Sequence, residues 1–137
     1  MSELDELEFV SIREHDARVS LRESLLRNGY VVFTIETGNR GGRERVFESV
    51  KATFPLDPPV VSARSWDALS DSLWGGIVGL GARRIAGIWV DADNFARLDP
   101  EAFEIACDVF RQLIRELRDI APIESESIDF RMILVKS

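Results

Sequence analysis

The run Ser65-Trp66-Asp67-Ala68-Leu69-Ser70-Asp71-Ser72-Leu73-Trp74 has the apolar spacing of a helix. At about 100° per residue, Trp66, Leu69, Leu73 and Ile77 fall within roughly 80° of one another and make a core-facing stripe. Asp67 and Asp71 are one turn apart, so they project side by side at the edge of that stripe, with Trp74 next to them. Like charges at this spacing repel mildly, which folding alone seldom needs. A plainer reading also fits the residues. Ser65 is a good N-cap, Asp67 in the first turn answers the helix macrodipole, and Asp71 is then simply solvated.

Upstream of this helix, Val46, Phe47, Val50 and Phe54 repeat at helical spacing until Pro55, Pro58 and Pro59 forbid continuation. Thr37-Gly38-Asn39-Arg40-Gly41-Gly42 is a turn cluster, and Tyr30–Ile35 before it is a β-branched and aromatic run typical of a buried strand. Residues 18–28 carry Val19, Leu21, Leu25 and Leu26 at helical spacing and stop at Asn28-Gly29. Residues 1–17 are polar and acidic, a loosely attached lead-in whose apolar patch at Phe9, Val10 and Ile12 could hold a short strand. Downstream, the helix is expected to loosen at Gly75-Gly76, which with Gly79-Leu80-Gly81 reads as a tight turn into a strand at Ile85–Val90.

Asp99-Pro100-Glu101 is a strong helix start, with a capping carboxylate, proline at the first helical position and an acid in the first turn. That helix runs to about Leu117, with Ala102, Ala106, Val109, Phe110, Leu113 and Leu117 on one face. A third strand spans Phe130–Val135. Three buried strands separated by helices imply parallel pairing with right-handed crossovers, hence an α/β layer.

Composition sets the bounds. The chain has 137 residues, 45% of them hydrophobic, which suits one compact domain able to fold without disulfide or metal. Twenty-four acids against 17 bases give a formal net charge of −7. This argues against a duplex or phosphate-backbone binder, which needs a concentrated basic face, and favours a cationic partner or simple solubility. Cys107 is the only cysteine, and its apolar neighbours suggest a buried, inert thiol. The acidic start Ser2-Glu3-Leu4-Asp5-Glu6 is the opposite of a basic signal-peptide start, and no apolar run reaches about 18 residues. A cytoplasmic protein with no membrane contact is expected.

Phe54-Pro55, then Trp66-Asp67-Ala68-Leu69, a second acid at Asp71 and Leu73 resemble the signature of the barstar family, the intracellular ribonuclease inhibitors. The strand Ile85–Val90 before Asp93-Asn94-Phe95, the helix with Val109-Phe110-Arg111 and the terminal Met132-Ile133-Leu134-Val135 are similar in order and spacing. The likeness covers residues 30–137 and leaves 1–29 as an N-terminal helical extension of a single domain. It implies a barstar-like three-stranded parallel sheet with helices on one side, and an acidic helix that plugs the active site of a basic ribonuclease or related toxin. Asp67 and Asp71 take the positions of the two acids that meet the partner's cationic groups, and Glu116 matches a further acidic position. Gln112 stands where the family has another acid, and Ser70 where a tryptophan usually separates the pair. Val61-Ser62-Ala63-Arg64-Ser65 replaces an aromatic-Gly-x-Asn run. Partner contacts are therefore expected from Asp67, Ser70, Asp71, Trp74, Gln112 and Glu116. The departures fall on the binding loop more than on the fold, so an immunity or interaction domain for a partner that is not a ribonuclease stays open.

Other constellations are weaker. Asp91-Ala92-Asp93-Asn94 after a strand resembles the Asp-x-Asp of haloacid-dehalogenase-like phosphotransferases, but the expected Thr or Val does not follow and too little chain lies behind it. A polar strand exit with Phe95 packing back is the simpler reading. The same residues fail as a calcium loop, because Phe95 falls where an oxygen ligand is needed. His15 is the sole histidine, so neither a catalytic triad nor a histidine metal site has a basis, and no cofactor or metal is expected. Arg40, Arg43, Arg45 and Arg83-Arg84 are interspersed with acids and read as solvated turns. Phe33, Phe47, Phe54, Phe103, Phe110 and Phe130 belong to the core; Trp89 is a buried strand residue, and Trp74 is either core or a surface anchor.

Overall fold

The computed structural model describes residues 7–11, 15–119 and 127–136. In chain order the elements are β1 (Leu7–Ser11), α1 (His15–Arg27), β2 (Val31–Ile35), α2 (Arg43–Thr53), α3 (Trp66–Gly79), β3 (Arg84–Trp89), α4 (Ala92–Leu98), α5 (Pro100–Arg118) and β4 (Asp129–Lys136). The three strands expected from the sequence lie side by side in one sheet and run parallel, with Phe33 opposite Gly87 and Gly87 opposite Met132. A fourth strand joins them: β1, within the lead-in, pairs parallel with β4 and gives the order β1-β4-β3-β2.

Alternation along the strands sends Ile85, Trp89, Phe130, Met132 and Leu134 to one face, where they pack with apolar residues of α2, α3, α4 and α5. The intervening Ile88 and Val135 face the other way and are covered by Leu21 and Leu25 of α1, together with Val32 and Val90. Helices therefore lie on both faces, α1 of the extension supplying the second. Gly87 sits at the centre of the main face. A Cβ there would run into the Met132 sulfur and come within 2.9 Å of the Phe54 ring. That space lets Phe54 stack between Phe33 and Phe130, at centroid separations of 4.8 and 6.4 Å.

Helix ends follow the local chemistry. Gly29, at φ +85°, ends α1. Asp99 caps α5 by accepting from the Ala102 amide at 3.1 Å, with Pro100 in the first turn, as its sequence suggests. Its other oxygen accepts from the Gly42 amide at 2.8 Å, so one carboxylate fixes the starts of α5 and α2 together. Residues 92–98, read as a strand exit, form the short helix α4; Phe95 does pack back, with its ring 5.4 Å from that of Trp89.

Asp91 is a structural clamp. Its carboxylate accepts from the Thr37 amide and hydroxyl, both at 3.0 Å, and from the Gly38 amide at 2.7 Å. Buried Thr37 in turn accepts from the Trp89 indole at 3.1 Å. Both carboxylate oxygens are thus engaged in holding the turn at Thr37-Gly38 against the end of β3. Asp91→Ala strands several of these donors and is expected to cost about 2–4 kcal/mol, seen as a lower urea midpoint at unchanged slope.

Cys107 is buried, and burial pushes its thiol up to about 11. The thiolate is therefore scarce at neutral pH, and a disulfide reagent at pH 8 should modify the native protein far more slowly than the urea-unfolded chain.

Candidate functional site

Helix α3 begins where the sequence places it. The Ser65 hydroxyl accepts from the Ala68 amide at 3.2 Å, and Asp67 lies in the first turn. Leu69, Leu73 and Ile77 are buried, and half-buried Trp66 packs against Phe47 with ring centroids 5.3 Å apart. The opposite edge carries the polar residues. Asp67 and Asp71 are exposed on consecutive turns, Ser70 is half-buried, and Trp74 keeps 38% of its surface exposed beside them. Neither carboxylate makes a hydrogen bond or ion pair with another described residue. Asp91, Asp99 and Asp129, in contrast, are engaged by backbone or side-chain donors.

One expectation about α3 is corrected. The helix does not loosen at Gly75-Gly76 but runs on to Gly79, and the turn comes at Leu80-Gly81, where Gly81 has φ +70°. The glycines serve close approach instead. A Cβ on Gly76 would strike the Pro55 carbonyl oxygen, and a Cβ on Gly75 the Asp57 carbonyl oxygen. The segment leaving α2 thus lies directly on α3, tied by the Asp57 amide donating to the Ser72 carbonyl at 3.0 Å. Helix and preceding loop form one surface as a result.

Gln112 and Glu116 are both exposed on α5, one turn apart, and α5 packs against α3. No hydrogen bond or ion pair among the described residues joins them to Asp67 or Asp71. Asp67, Ser70, Asp71 and Trp74 thus share one helix, with Gln112 and Glu116 on its neighbour. Sequence reasoning passed over Val61, whose side chain is 92% exposed on the loop leading into α3 while Val60 beside it is buried. The Val60-Val61 pair was the available signal, since one valine anchors such a loop and its neighbour must then face out.

Clefts among the described residues lie elsewhere. Two of about 670 and 390 Å³ open at the amino ends of β2, β3 and β4, lined among others by Tyr30, Arg84 and Asp129. None of the expected partner-binding residues lines them. Tyr30 donates to Asp129 at 2.6 Å, and burial, followed by this bond, raises the phenol above its ordinary pKa. Among the described residues no group of three or more His, Cys, Asp or Glu is placed to hold a metal ion. No helix among them is long and apolar enough to cross a membrane.

Taken together, these features define a small parallel α/β protein whose acidic helix lies outside both of these clefts. Residues 30–135 match the family model described as Barstar (barnase inhibitor), and the chain belongs to the barstar family. No curated protein and no solved structure matches it.

Proposed function

We propose that this chain inhibits a small basic ribonuclease or related toxin by seating α3 in its active site. The observation that carries the reading is the pair of exposed carboxylates, Asp67 and Asp71, on consecutive turns of the helix that bears the family's signature, neither of them paired with another described residue. Two carboxylates on a preformed helix imitate the charge of a nucleic-acid phosphate without offering a scissile bond. Because the helix is already folded and packed, little ordering entropy opposes docking. The net charge of −7 raises the encounter rate with a basic partner, and desolvated charge pairs then set specificity. Trp74 adds an aromatic contact beside the acids, while Ser70, Gln112 and Glu116 complete the face. On this reading the chain is not an enzyme, needs no cofactor or metal, and works in the cytoplasm.

A second reading keeps the scaffold and changes the target: an immunity or interaction domain for a partner that is not a ribonuclease. The residues that favour it are Gln112, Ser70 and the loop 61–65, which all depart from the family pattern. Titrating the chain into barnase while following RNA cleavage separates the two. Stoichiometric loss of cleavage supports inhibition; a tight complex that leaves cleavage intact contradicts it and favours the second reading.

A further inference from the structure

We infer that Asp57 is a third carboxylate of the partner-binding face, held in line with Asp67 and Asp71 by the docking of its backbone onto Gly75. The inference rests on the reading of α3 as that face. Positions 67, 71 and 75 follow one another at four-residue steps, so they form a single stripe that drifts slowly around the helix. A side chain at 75 would continue it, but the residue there is glycine, and the space is filled by Asp57, whose Cβ lies 3.7 Å from where a Cβ on Gly75 would be.

Asp57 is exposed, makes no side-chain hydrogen bond or ion pair with a described residue, and has its amide anchored on the Ser72 carbonyl at 3.0 Å. A carboxylate on a backbone pinned in this way is pre-placed, unlike one on a free loop. Its complement on the partner is a lysine or arginine one helical turn beyond the groups that meet Asp71. Gly75 is the positioning residue, since any Cβ there would lift the Asp57 backbone from the helix.

The test compares the full-length chain with Asp57→Asn, Gly75→Ala and Asp71→Ala, each binding barnase in stopped-flow at low and at moderate salt. Asp57→Asn should melt at the wild-type temperature, associate roughly threefold more slowly at low salt, and approach wild type as salt screens the field. Gly75→Ala should slow association as much or more, and adding Asp57→Asn to it should have less effect than in the wild type. If Asp57→Asn binds like wild type at both salts while Asp71→Ala is impaired, the inference on Asp57 is overturned and the reading of α3 stands. If the wild-type chain itself does not bind, both fall.

Discussion

Asp71→Ala is expected to weaken the complex with a basic ribonuclease more than any other single surface substitution, by about 2–5 kcal/mol, or roughly 30- to several-thousand-fold in Kd. Asp71 lies mid-way along the exposed edge of α3, with Asp67 one turn before it, Trp74 beside it and the Asp57 segment one turn after it. A docked partner would therefore exclude water from Asp71 more fully than from Asp67 near the helix start. Removing its carboxylate leaves the partner's cation buried without a counter-charge, and most of the loss comes from that stranded group. Stability should barely change, because Asp71 is exposed and pairs with no other described residue. Calorimetric titration alongside thermal melting checks both halves. An unaltered Kd would remove Asp71 from the interface.

The second large effect is on the fold. Gly76→Val is expected to cost on the order of 3 kcal/mol and lower the melting temperature by roughly 10 °C. The new Cβ would strike the Pro55 carbonyl and approach the Leu56 amide within 2.9 Å, so the contact is with backbone and cannot be relieved by a side-chain rotation. Either the loop 55–57 lifts from α3 or the helix moves, and either movement opens the core around Phe54, Leu73 and Ile77. Gly79→Val is the control, since nothing lies within 4 Å of a Cβ at that position. Comparable melting temperatures for the two variants would show that the docked segment does not constrain the helix.

The pattern of residues carried most of the architecture. Strands rich in valine and isoleucine between proline and glycine punctuation were legible as β2, β3 and β4, and the Asp99-Pro100-Glu101 start fixed α5 because capping is a local effect. Long-range contacts were harder to read. Gly75-Gly76 has the composition of a turn, yet its reason is the approach of Pro55 and Asp57, residues some twenty positions earlier in the chain. A short segment like 92–98 gives too little periodicity to show as a helix, and α4 packs its Phe95 ring against Trp89. In the lead-in, the apolar patch hinted at β1, but its pairing with β4 depends on a partner some 125 residues distant.

The candidate site divides in the same way. Asp67 and Asp71 were visible because i,i+4 spacing is a property of the helix itself, and their exposure follows from the opposing stripe of Leu69, Leu73 and Ile77. Asp57 could not be found from spacing, because its place beside α3 depends on how the loop folds back.

Occlusion of the partner's active site is tested most directly by competition. The chain is titrated into catalytically competent barnase at increasing fixed concentrations of a mononucleotide phosphate that occupies the active site. Apparent Kd for the chain should rise in proportion to the mononucleotide, with no ternary complex at saturation. A Kd that stays constant while both ligands are bound would contradict it, and would place α3 somewhere other than the catalytic cleft.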